Sequence, residues 1–186
     1  MVGLSGLWIP LVLSAVFVFI ASSLIHMVLG WHNGEYQPPP QQDAVLDALR
    51  PFKIPPGEYM MPMPATMKDM RTPEHLAKME AGPVATLIVR PNGMGSMTPM
   101  LVKWFVYVLV VSLFTAYVTG RTTAQGAPFL WILRIAGSVS FAGYALGIWQ
   151  AHIWGGKPLK STIMANVDAL IFCVITGATF GWLWPK

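Results

Sequence analysis

Charge is scarce in this chain and cysteine is nearly absent. Only 11% of the 186 residues are charged, while 54% are hydrophobic, and the mean hydropathy is +0.54. A soluble domain carries about a quarter of charged residues, so this composition excludes an ordinary soluble fold and points to an integral membrane protein. The lone Cys173 excludes an intrachain disulfide and a thiolate metal cluster. No Lys or Arg precedes the first apolar run, that run is long for a signal sequence, and no clean small-residue cleavage site follows, so it is expected to be retained. The chain also lacks G-x-S-x-G, a phosphate loop, H-E-x-x-H and a recognisable carboxylate pair. A non-enzyme is expected. Broken-helix Gly/Pro symmetry is missing too, which argues against a stand-alone transporter.

What is present is four long apolar runs. A helix needs roughly 20 apolar residues to cross a ~30 Å hydrocarbon core, and residues 4–30, 101–119, 128–153 and 162–184 each approach or exceed that length. The fold expected is an all-α membrane protein of four transmembrane helices, with a small mixed α/β extramembrane domain, residues 31–99, between the first and second. Short links among the last three spans make sequential neighbours antiparallel. Gly143-Tyr144-Ala145-Leu146-Gly147 and Gly177-Ala178-Thr179-Phe180-Gly181 are GxxxG patterns that favour close helix packing, within the chain more than between copies.

The 31–99 segment holds seven of the eight acids beside six of the twelve bases, so it is nearly neutral and offers no nucleic-acid patch. Gln37-Pro38-Pro39-Pro40-Gln41 opens it as a polyproline-like lead. A short helix is expected over 43–49, stopped by Pro51, and a second after the cap Thr72-Pro73-Glu74, stopped at Gly82-Pro83. Residues 54–59 read as turn chemistry, 60–70 as an extended Met-Pro stretch, and 84–89 as a single strand. One strand and two short helices cannot bury a core of their own. Near the span ends Arg90, Lys103, Lys157 and Lys160 lie on the domain side against Arg121 and Lys186 opposite, an excess that favours a cytoplasmic domain, although connections this long escape the rule.

Two charges lie inside apolar runs, and charge at bilayer depth defaults to a functional or assembly role. Arg134 and Asp168 each sit about five residues, ~8 Å, before the middle of their span; on antiparallel helices the offsets add to ~16 Å. They are not expected to pair. Arg134 reads as snorkelling to headgroups or gripping a lipid or partner group. Asp168 shares its helix face with Ala165, Ala169, Phe172 and Thr176, and its depth allows a cluster with Lys103, His26 and His152 that ties helix ends together, handles protons or binds a ligand.

Three cofactor readings compete with a purely structural one. His26 and His152, on different helices at similar depth, are candidates for haem ligation, or for quinone contact near Trp149, His152 and Trp154. Met60, Met61, Met63, Met67 and Met70 are candidate Cu(I) thioethers, although only His75 stands nearby and prolines interrupt them. The eight tryptophans read most economically as interfacial belts.

Ala48-Leu49-Arg50-Pro51-Phe52, Pro55-Pro56-Gly57-Glu58-Tyr59-Met60-Met61-Pro62, Glu80-Ala81-Gly82-Pro83-Val84 and Thr179-Phe180-Gly181-Trp182-Leu183-Trp184-Pro185 together resemble a family of small bacterial four-span membrane proteins of unassigned function, over nearly the whole chain. The resemblance implies a bacterial inner-membrane setting, and carries no activity, cofactor or site residue. The richness in methionine departs from that family's pattern and lowers the copper reading. The function expected is therefore a non-catalytic accessory or structural subunit of a larger inner-membrane complex, of the bioenergetic kind. Its partners would be other integral membrane subunits and membrane lipids. A copper-binding protein using the Met-rich loop and a haem- or quinone-associated protein are the alternatives.

Overall fold

Four helices are long and apolar enough to cross a membrane: α1 (Trp8–Leu29), then, after the two short helices α2 (Gln42–Leu49) and α3 (Pro73–Ala81), α4 (Thr98–Thr122), α5 (Phe129–Ile153) and α6 (Leu159–Trp182). The computed structural model describes residues 1–186 and divides into two units, Met1–Tyr36 with Ser96–Lys186, and Gln37–Gly95. At 22 to 25 residues, each long helix extends ~33–38 Å, enough for a bilayer core. Two of them begin earlier than hydropathy suggests. Ser96 Oγ accepts the Thr98 N–H at 3.2 Å and Pro99 suits the first turn, so α4 starts before residue 101. The polar turn Lys160-Ser161-Thr162 is likewise helical in α6, because helix continues until a stop signal and not merely until apolarity ends.

In the first unit α1 packs on α4 and α6, and α5 packs on the same two helices, closing a four-helix ring. One interior cluster joins Ala15, Val18, Val108, Val111, Tyr144, Ala145, Ala169 and Phe172. A second joins Leu7, Ala116, Ile132, Ala136, Phe180 and Trp184. Between them the interior is rich in hydroxyls, which is the arrangement of a bundle whose outside faces hydrocarbon. Thr115, Ser140, Thr176 and Thr179 donate to carbonyls one turn back at 2.7–2.9 Å. Ser112 donates to the Leu11 carbonyl at 2.8 Å and lies 2.7 Å from Ser14 Oγ, a polar tie between α1 and α4.

The GxxxG patterns divide. A Cβ added at Gly177 would lie 2.7 Å from the Leu133 carbonyl, and one at Gly181 would meet the Phe129 ring at 2.7 Å. Both glycines of that pattern are therefore spent on packing within the chain, against α5. Gly143 faces the Val111 side chain of α4, but Gly147 faces open space, so the first pattern is only half used.

Two of the long helices are broken by π turns, Ile25–Leu29 in α1 and Ala142–Leu146 in α5. In α5 the Tyr107 hydroxyl donates to the Gly143 carbonyl at 2.7 Å, supplying a partner to a backbone acceptor within the widened turn.

The Gln37–Gly95 unit holds two strands where one was expected. β1 (Gly57–Met61) pairs antiparallel with β2 (Ala85–Val89), Tyr59 opposite Leu87. The Pro55-Pro56 turn sequence masks β1, which forms because β2 offers its ladder. Both short helices occur as expected, and Thr72 caps α3 by accepting the His75 N–H at 3.3 Å. Local polar contacts pin the rest: Tyr59 to the Pro55 carbonyl at 2.9 Å, Thr66 to Asp69 at 2.8 Å, and Arg50 with Asp47. No residue of this unit is buried.

Candidate functional site

The end of α1 is shaped to bring two imidazoles to one carboxylate. The π turn Ile25–Leu29 carries His26, and Gly30 closes the helix with φ +61. A side chain there would be strained by the left-handed backbone and would also meet Asn33 Nδ2 at 2.8 Å. The Asn33 N–H returns to the Gly30 carbonyl at 2.9 Å, and this tight turn sets His32 over His26. Their rings stack with centroids 4.5 Å apart and planes 4° from parallel.

Both rings address Asp168 of α6. His32 Nε2 lies 2.8 Å from Asp168 Oδ2, and His26 Nε2 lies 3.8 Å from the same oxygen. The opposite ring nitrogens are also engaged: His26 Nδ1 with the Ser22 carbonyl at 2.9 Å, His32 Nδ1 with Glu35 Oε1 at 2.9 Å. Ser22 is held in turn, donating to the Phe19 carbonyl and accepting the Trp104 indole N–H at 2.8 Å. Asp168 is buried to 4% exposure, and its second oxygen, Oδ1, has no hydrogen-bond partner. The His26 side chain stays half exposed and lines a groove with Ser22, Ser23, Met27, Met97, Leu101 and Trp104. Chemically the cluster offers two imidazole nitrogens and a carboxylate oxygen within 4.8 Å of one another, able to hold a cation or pass a proton.

The residues marked by sequence distribute unevenly. Asp168 and His26 come together as the depth argument allowed. His152 does not join them: its Nδ1 donates to the Lys157 carbonyl at 2.6 Å. Lys103 is exposed and makes no ion pair. The place given to those two residues is taken by His32, which reasoning from spans left in the loop; the signal that finds it is a second histidine six residues on, beyond a helix-ending glycine. Arg134 is exposed on α5 and, as expected, forms no pair with Asp168. His26 stacks on another imidazole and does not face His152 across a gap. Trp149 Nε1 donates to Asn166 Oδ1 at 3.2 Å, whereas Trp154 is exposed.

The methionines of the second unit, Met60, Met61, Met63, Met67 and Met70, are all solvent-exposed. Met60 and Met61 are neighbours on β1, and successive strand residues project to opposite faces, so these two do not share one. Of the tryptophans read as interfacial, Trp104 and Trp184 are tied into the bundle by indole hydrogen bonds, to Ser22 Oγ and to the Ala124 carbonyl.

Comparison with protein-family models, with curated proteins and with solved structures finds no match.

Proposed function

We propose that this chain is a non-catalytic accessory subunit of a larger bacterial inner-membrane assembly of the bioenergetic kind, with the Gln37–Gly95 unit as its extramembrane docking element. The observation that carries this reading is that an ordered unit of about sixty residues buries none of them. Its open sheet face presents Met60 and Ile88, and Phe52, Met63 and Met67 also stand exposed. Exposed apolar residues gathered on one small unit mark an interaction surface. Arg134 supports the same reading, since a guanidinium at bilayer depth without a partner in its own chain calls for a partner elsewhere, in a neighbouring subunit or a lipid headgroup.

The test is isolation of the intact chain from native membranes in mild detergent, with its companions identified by mass spectrometry. Stoichiometric companions are expected, and their recovery should fall when Met60→Lys and Ile88→Lys are combined or when Arg134→Leu is introduced. A chain that elutes alone, or variants that keep every companion in full, would remove the proposal.

A further inference from the structure

We infer that His26, His32 and Asp168 form a binding site for one divalent transition-metal ion of the zinc class, with an open coordination position toward the Ser22/Met27/Trp104 groove. The inference is independent of the subunit reading, because it concerns only the first unit.

Tautomer logic supplies the first step. The Ser22 carbonyl and the Glu35 carboxylate are acceptors only, so the ring nitrogens bonded to them, His26 Nδ1 and His32 Nδ1, carry the hydrogens. In neutral rings both Nε2 atoms are then lone pairs, and both are turned on Asp168 Oδ2, at 3.8 Å and 2.8 Å. Three lone-pair atoms within 4.8 Å repel one another unless something positive lies among them. A single proton on His32 relieves one contact and leaves His26 Nε2 and the buried Asp168 Oδ1 unserved. A cation in the middle serves all three residues.

Distances agree with this assignment. Zinc–nitrogen bonds of ~2.0–2.1 Å and tetrahedral geometry put neighbouring ligand atoms ~3.4 Å apart, and the two measured separations, 2.8 Å and 3.8 Å, lie on either side of that value. Small side-chain rotations suffice. One rotation is required: a nitrogen lone pair lies in its ring plane, so two parallel rings cannot both aim at one ion, and metal binding would open the 4.5 Å stack.

The surroundings fit a metal centre as well as the ligands do. Metal-binding histidines donate their other N–H to a carboxylate or a backbone carbonyl, which fixes tautomer and ring orientation. This cluster shows one of each. Charge also balances: Asp168 and Glu35 together supply two negative charges, matched by a divalent ion at a place where unpaired charge would be costly. The donor set of two imidazoles and one carboxylate suits zinc-class ions; it lacks the thioether or thiolate that selects Cu(I) and the all-oxygen shell that selects Mg²⁺ or Ca²⁺. With three protein ligands, and His26 half exposed to the groove, the fourth position is left for water or a small ligand.

The deciding experiment uses the full chain purified in detergent, stripped with chelator, equilibrated with Zn²⁺, freed of unbound metal and assayed by mass spectrometry for bound zinc. One ion per chain is expected in wild type and in His75→Ala and His152→Ala. Asp168→Asn and His32→Ala should lose it. Because those two variants alter a buried contact and could disturb folding, Glu35→Gln provides the second measure: it keeps all three ligands and should weaken zinc affinity by about 10–100-fold. Loading with Co²⁺ should give the visible absorption of a low-coordinate site and lose it in Asp168→Asn. Substoichiometric zinc in wild type, equal loss in His75→Ala or His152→Ala, or an unchanged affinity in Glu35→Gln would each overturn the inference.

Discussion

The two units of this chain solve the ordering of a backbone in opposite ways. In the bundle, small residues and hydroxyls are buried while Phe114, Tyr117, Leu170 and Val174 face outward, so close packing and internal polar ties hold helices that hydrocarbon surrounds. In Gln37–Gly95 nothing is buried, and a two-stranded ladder, a threonine cap and short-range ion pairs define the conformation. A two-stranded sheet is marginal by itself in water. The difference teaches that long helices specify themselves here, whereas the smaller unit has its shape set by local chemistry and gains little from a core.

That contrast can be broken most sharply at Gly177. Gly177→Leu should destabilise the bundle by about 3 kcal/mol, the upper range of overpacking, since its Cβ has no room against the Leu133 carbonyl. Gly147→Leu, made in open space, should leave the unfolding midpoint in detergent unchanged. Equal effects at the two glycines would deny the close α5–α6 approach. A smaller loss, about 0.6 kcal/mol, is expected for Ser112→Ala, the typical worth of a hydrogen bond between membrane helices, read by denaturant unfolding of the same preparation. In the second unit Tyr59→Phe removes one exposed hydrogen bond to the Pro55 carbonyl and should cost less still, visible only as faster amide exchange along β1.

The smallest effect concerns Glu74. The Lys78 ammonium, bonded at 2.7 Å, holds its carboxyl below the ordinary glutamate range, first through the hydrogen bond and then through charge. A carboxyl lowered on folding contributes stability above its unfolded pKa, and that contribution disappears as pH falls through the folded value. Carbon-detected titration of the whole chain should therefore give Glu74 a midpoint that rises in Lys78→Ala. An unmoved midpoint would mean that the exposed pair is screened to nothing.

Helices were legible because length and apolarity state them directly, and so was the cap at Thr72, whose hydroxyl and following proline are a local signal. β1 was hidden because a strand depends on its partner as much as on itself, and Pro55-Pro56-Gly57 argues for a turn just where pairing begins. The site was half legible. Asp168 and His26 stand out as polar residues in apolar runs, and antiparallel depth places them together. His32 and Glu35 lie past the apolar boundary, where hydropathy has nothing to say. Only the left-handed turn at Gly30 returns them to Asp168, while Lys103 and His152, which share the right depth, point elsewhere; depth fixes one coordinate of a residue and leaves the rotation of its helix free.

The π turn at Ile25–Leu29 sets that rotation for α1. Such a turn holds one residue more than an α-helical path of the same rise, so removing a single residue there would let the helix close normally and swing all that follows by about 100°. Gly30 and His32 would be carried away from α6 with no ligand altered. Among descendants of this chain, the histidine–aspartate cluster is thus more exposed to a one-codon deletion than to most substitutions, and relatives that keep all three residues but differ by one in the count between Leu24 and Gly30 should lack the site.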